Sequence, residues 1–198
     1  MGRGHGNTHG SSSYSPTERG MSRSLQKAVL SKEESIRNNP SESLHVFDDQ
    51  GNETYTARAN PRTPYQVAYD TREIKDKVMT HNHPRSLGKS GYYSVGNSFS
   101  PQDMIGAVHG DAREQRAVTP KYTFSMKRPA SGWGATPLEV KARYTSVIRS
   151  INRKDKQYLS SYKGDRTQAA GRLSATYWHR VNKAVAKSFG WEYTKRKK

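Results

Sequence analysis

His81-Asn82-His83-Pro84 sets two imidazoles at i and i+2. The apolar run Val78-Met79-Thr80 ahead of them predicts a strand. On a strand, side chains two apart point the same way, so both rings can reach one ion. The chain has no cysteine, so a further protein ligand has to be a carboxylate or another histidine. Ser100-Pro101-Gln102-Asp103 offers that carboxylate in the first turn of a predicted helix, facing back toward the strand that carries the histidines. Two imidazoles and a carboxylate, with a fourth position left to water, match a catalytic zinc site. Zinc lowers the pKa of water from about 15.7 to about 7, and a nearby carboxylate can then take the proton. Ser-x-x-Asp before an apolar run is also a plain helix capping box, so a structural role for Ser100 and Asp103 stands beside the chemical one.

HNHP followed by SFSPQDM resembles the motif of the JAB/MPN (JAMM) metalloproteases, which reads Glu, then HxHP, then SxxD. It is most similar to the small bacterial and phage JAB-like domains, where SFSxxD follows HNHP. The resemblance spans about residues 33–128. It implies zinc ligands at His81, His83 and Asp103, a general base at Glu42 just before Leu44-His45-Val46-Phe47, and a serine, Ser100, that helps stabilise the tetrahedral intermediate. Glu33 and Glu34 on the preceding helix compete with Glu42 for the role of base. Their bland reading is solvated helix charge. The chain departs from the family in the stretch between Pro84 and Gln102, which is longer than usual. The surplus, Arg85 to Asn97, is rich in Gly, Ser and Tyr and reads as a loop insertion, because closure entropy grows slowly with length.

The elements that must position these residues follow from the pattern. Residues 1–22, Gly/Ser/His/Arg-rich, predict a flexible basic arm, with His5 and His9 on it. Ser24 to Asn39 predicts a helix closed by Pro40. Leu44–Phe47, a turn at residues 48–52 and Thr54–Ala57 predict a hairpin. His45 reads as a packed or exposed histidine and not a ligand. Val118 to Lys127 alternates, with Tyr122, Phe124 and Met126 on one face, as a half-buried strand does. Thr136-Pro137-Leu138-Glu139 is a helix start, and Val140, Tyr144, Val147, Ile148 and Ile151 form its apolar stripe. A second helix carries Leu173, Tyr177, Val181, Ala184 and Val185. The expected architecture is therefore α/β (α+β): a JAB/MPN-like mixed sheet flanked by helices over residues 23–135, and a basic helical extension over residues 136–198.

Charge separates the same parts. With 34 Lys+Arg against 17 Asp+Glu, the 198-residue chain is net +17. Residues 31–140 are near balance, 14 basic to 13 acidic, whereas residues 141–198 hold 16 basic and 3 acidic, a net +13. Such a segment releases counterions from a polyanion, most simply nucleic acid. Arg149, Arg153, Lys154, Lys156, Lys183, Lys187 and the terminal Lys195-Arg196-Lys197-Lys198 are the expected phosphate contacts, and Tyr144 and Tyr177 belong to apolar stripes. No run is apolar enough to span a membrane, and the N-terminus has no secretory or myristoylation pattern. A cytoplasmic or virion-associated protein is expected.

The functional expectation is a zinc-dependent hydrolase of peptide or isopeptide bonds, toxin-like or maturational in a phage setting, whose basic part binds nucleic acid or an acidic partner. Two other readings stand beside it. One is a nucleic-acid-binding or virion structural protein with an inactive JAB-like fold. The other is a metal-dependent nuclease using the same ligands. The spacing speaks against most of an HNH-nuclease reading, since that motif spreads its His and Asn over a ββα unit.

Overall fold

The structure is a computed structural model that describes residues 20–84 and 98–198. The expected arm, with His5 and His9, lies almost wholly outside the described residues, and the expected loop insertion, residues 85–97, lies wholly outside them. Among the described residues, the chain runs α1 (Arg23–Ile36), β1 (Ser43–Phe47), β2 (Glu53–Arg58), a short 3-10 turn (Thr71–Ile74), β3 (Val78–Asn82), α2 (Pro101–His109), β4 (Glu114–Val118), β5 (Tyr122–Lys127), α3 (Pro137–Ser161), α4 (Arg166–Phe189) and β6 (Glu192–Lys197). The six strands form one mixed sheet in the order β2-β1-β3-β4-β5-β6. β3 and β4 are parallel, and the other neighbours are antiparallel.

That parallel pair positions the site. A parallel connection has to return along the sheet before the next strand can start. α2 makes that return between β3 and β4, so its first turn sits beside the end of β3 where the histidines are. Ser100 and Asp103 form both halves of a capping box at this helix start: the Asp103 amide donates to Ser100 Oγ, 3.2 Å, and the Ser100 amide donates to Asp103 Oδ2, 2.6 Å.

The two faces of the sheet differ. One packs against α2, α3 and α4 through Leu44, Val46, Met79, Phe124 and Met126, together with Phe99, Met104, Val140, Tyr144, Val181, Val185 and Trp191, all buried. The other is covered by α1, whose apolar contacts are the small cluster of Leu25, Val29, Phe47 and Val78. Beside that cluster sits a buried ionic network. Arg116 of β4, wholly buried, donates to Glu33 of α1 at 2.6 Å and to Glu114 at 2.8 Å. Ser125 Oγ donates to Glu114 at 2.7 Å, and Thr80 Oγ1 donates to Glu33 at 3.3 Å. Glu33 is therefore not the solvated helix charge the sequence suggests, and its carboxylate is on the far side of the sheet from the histidines. Glu34 stays exposed and pairs with Arg37 and Lys198.

β4 went unseen in the sequence because Glu-Gln-Arg-Ala-Val has no apolar alternation, yet all five residues are buried. The reading of residues 136–198 as a helical extension also needs correction. Val140, Tyr144, Val181, Val185 and Trp191 belong to the same core as Met79 and Phe124. Gly190, left-handed with φ +72°, ends α4 and turns the chain into Trp191 and β6. β6 pairs with β5, Tyr193 opposite Met126 and Lys195 opposite Phe124. Trp191 Nε1 donates to the Trp133 carbonyl, and Trp133 Nε1 to that of Ala112. Lysine-rich Glu192–Lys197 reads as tail, but charged residues are what keeps an edge strand from pairing with other chains. No helix of the described residues is long and apolar enough to cross a membrane.

Candidate metal centre

The expected ligands converge. His81 Nε2 and His83 Nε2 lie 2.8 Å apart, and Asp103 Oδ2 is 3.7 Å from each. Ligand atoms about 2.0–2.2 Å from a tetrahedral zinc lie roughly 3.3–3.5 Å from one another, so the observed spacings bracket what one ion needs. The group can hold a metal ion. His81 is buried at the floor, while His83 and Asp103 are each 19% exposed at the side chain and open into a cleft of about 530 Å³. Phe99, buried, closes the back of His81 with ring centroids 6.4 Å apart. Burial works against ionising Asp103, and the two imidazoles outweigh it, holding the carboxyl below its ordinary range.

Glu42 and Ser100 line the same cleft, with Tyr65, Val67 and Tyr69 from the irregular stretch after β2. Burial raises the pKa of Glu42. His81 and His83 oppose that rise, and Asp103 adds to it. No hydrogen bond or ion pair from the described residues occupies its carboxylate. Ser100 accepts the Asp103 amide with a lone pair, which leaves its hydroxyl hydrogen for another acceptor. The capping and chemical readings of Ser100 and Asp103 therefore hold together: the box that starts α2 also aims the carboxylate.

Several supporting residues escaped the sequence reading. Asn82 sits between the two histidines and, by strand alternation, points to the opposite face. Its Oδ1 accepts the Ser43 amide at 2.9 Å, and its Nδ2 donates to the Ser41 carbonyl at 3.0 Å. It thus clamps the backbone on both sides of Glu42. Gln115 of β4 is buried with its side-chain amide 3.2 Å from His81 Nδ1. Its Oε1 has no partner among the described residues. Turning that amide over would let Oε1 accept a proton from Nδ1, the tautomer in which Nε2 can bind a metal. Asn182 of α4, buried, donates to the Phe99 carbonyl at 2.8 Å, and Tyr193 of β6 meets Ser98 Oγ at 2.8 Å. The C-terminal elements therefore hold the segment leading into the Ser100 cap. Tyr69 rests on Gly106 of α2, where any Cβ would overlap its hydroxyl. The bare type Asn between the two histidines was the one available signal. Gln115, Asn182 and Tyr69 lie in stretches whose placement depends on the whole sheet.

The expected phosphate contacts divide. Arg149, Arg153, Lys154, Lys156, Lys183 and Lys187 are exposed on α3 and α4. The terminal run is largely engaged within the fold: Lys195 Nζ lies 4.0 Å from the Tyr122 ring centroid, and Lys198 pairs with Glu34. Arg196 is half-buried in β6, and Lys197 is exposed near its end.

These features define a mixed α/β domain with a candidate His-His-Asp metal centre at the C-terminal end of a parallel strand. The chain matches no family model, no curated protein and no solved structure. The JAB/MPN resemblance therefore rests on the motif residues themselves.

Proposed function

We propose that the chain is a zinc-dependent hydrolase of peptide or isopeptide bonds on a JAB/MPN-like domain. The observation that carries this reading is the meeting of His81, His83 and Asp103 beside Glu42 and Ser100 in one cleft. Zinc held by the three ligands supplies Lewis acidity, which brings the pKa of water to about 7. Glu42, with a carboxylate unpaired among the described residues and a pKa raised by burial, takes the proton of the attacking water and hands it to the leaving amine. Ser100 donates its hydroxyl hydrogen to the carbonyl oxygen as negative charge builds there. Tyr65, Val67 and Tyr69 wall the cleft and help exclude bulk water.

The cleft favours an amide substrate over a phosphodiester. Its described lining includes Glu42 and Asp103 and no lysine or arginine. A phosphate there would have no lysine or arginine of the described lining to clamp it beside the metal, and would face the Glu42 carboxylate.

The test is metal analysis joined to turnover. The wild-type chain holds about one zinc, His81→Ala and Asp103→Ala lose it, and Glu42→Gln keeps the metal while losing peptide-bond cleavage. A chain that takes up no stoichiometric zinc overturns the proposal. Zinc-dependent cleavage of DNA, abolished by the same changes, would assign the site to a nuclease instead.

A further inference from the structure

α3 has one face committed to the core and another that the fold leaves in solvent. Val140 and Tyr144 are buried, whereas Lys141, Thr145, Ser146, Arg149 and Arg153 are exposed. These five line one open groove along the helix together with half-buried Ser150 and exposed Leu138 and Ala142. The side chains of Lys141, Arg149 and Arg153 have no ion pair or hydrogen bond among the described residues. The acidic residues that could neutralise them are taken: Glu139 is locked in the capping box with Thr136, and Asp155 is held by Arg180 at 2.6 and 2.7 Å.

We propose that this stripe of α3 binds the phosphate backbone of nucleic acid without reading its sequence. From Lys141 to Arg153 the helix rises about 18 Å, the length of about five base pairs of duplex. Cations eight and then four residues apart, about two turns and about one, match a polymer that repeats its charge. The hydroxyls between them are short donors of the kind that contact phosphate oxygens. A membrane surface fits less well, because insertion needs a broad apolar face and Leu138 and Tyr158 are the only exposed large hydrophobics on the helix among the described residues. The surface lies on a different element from the cleft-lining residues and does not depend on the hydrolase reading.

The experiment uses the full chain, fluorescently labelled duplex DNA and duplex RNA, and anisotropy titrations between 50 and 200 mM salt. The triple variant Lys141→Glu/Arg149→Glu/Arg153→Glu is set against a control with the same change in net charge, Arg23→Glu/Lys27→Glu/Arg62→Glu, all exposed residues away from α3. Thermal melts show that both variants are folded. The α3 variant is expected to lose at least about tenfold in affinity, with the slope of log K against log salt shallower by up to about 2.7, while the control stays within about threefold. Equal losses in the two variants would mean that net charge alone is at work and would overturn the proposal. So would an absence of binding at 100 mM salt. Equal competition by polyglutamate at matched charge would reassign the surface to acidic protein, and binding to phosphatidylserine vesicles in place of duplex would reassign it to membrane.

Discussion

The two faces of the sheet bury polar groups to opposite ends. On the α1 face, Arg116, Glu33, Glu114, Ser125 and Thr80 answer one another at hydrogen-bond distance. On the other face, His81 and His83 bring two ring nitrogens to 2.8 Å, beside a carboxylate that opens into a cleft. Two imidazole nitrogens so close need a proton or an ion between them. The difference teaches how to read buried charge: carboxylates paired with an arginine of the same chain serve the fold, while groups that converge on a shared point with room beside it can hold an ion from outside.

Breaking the ionic network on the α1 face should cost most. Arg116→Met strands Glu33 and Glu114 without a counter-charge, and an unfolding titration should show a loss of about 3–5 kcal/mol. Adding Glu33→Leu and Glu114→Leu to it should recover much of that loss. If the single variant is as stable as wild type, the network is not structural.

Asn82→Ala tests the join between the faces. It frees the Ser43 amide and the Ser41 carbonyl, with an expected cost of about 1–3 kcal/mol. Zinc stoichiometry should persist while kcat for peptide hydrolysis falls, because Glu42 loses its clamp and the ligands do not. Loss of zinc would place Asn82 among the groups that orient the histidines.

Gln115→Leu, on the open face, should leave the melting temperature of the metal-free protein nearly unchanged and weaken zinc binding by about tenfold to a hundredfold. Gln115→Glu should bind zinc at least as well as wild type, since a carboxylate also accepts from His81 Nδ1. A leucine variant of undiminished affinity would remove Gln115 from the site.

The smallest effect should come from protonating one carboxylate on the α1 side, Glu53. Burial opposes ionisation of Glu53, but His45 at 2.6 Å, Lys32 at 2.8 Å and Thr56 outweigh it and bring its pKa to about 2. A depressed carboxylate contributes stability above its unfolded pKa, about 4.3–4.5, and loses it as the pH falls toward 2. Because the pair is part-exposed, the change should be no more than about 1 kcal/mol. The difference between wild type and Glu53→Gln in unfolding titrations between pH 6 and pH 3 isolates it, and a difference independent of pH would refute the assignment.

Much of the metal centre was legible in the chain. HNHP after an apolar strand and a capping box with Asp103 are local patterns, and α2 returning antiparallel to β3 brings them together whatever the length of the stretch between them. β1, β2, β5, α3 and α4 were legible for the same reason: periodicity and caps act over a few residues. β4 and β6 were not, because Glu114, Arg116 and Lys195 look like surface residues until Glu33, Ser125 and Tyr122 are beside them. The division at residue 136 failed likewise. Composition marks where charge accumulates, and it cannot show that Asn182 holds Phe99 or that Tyr193 holds Ser98. Removing residues 136–198 would therefore dismantle the core and the support of the metal centre together.

By itself, the sequence determined which side chains could bind a metal, which segments are helix and, β4 and β6 apart, which are strand, and where positive charge collects, since each of these depends on residue type and near neighbours. Only the tertiary structure decided that Arg116 is core, that the last strand completes the sheet, and that Gln115 and Asn82 stand behind the histidines and Glu42. The partner that makes a polar residue structural or functional can lie many tens of residues away, as Glu33 does from Arg116, and only folding brings the two into contact.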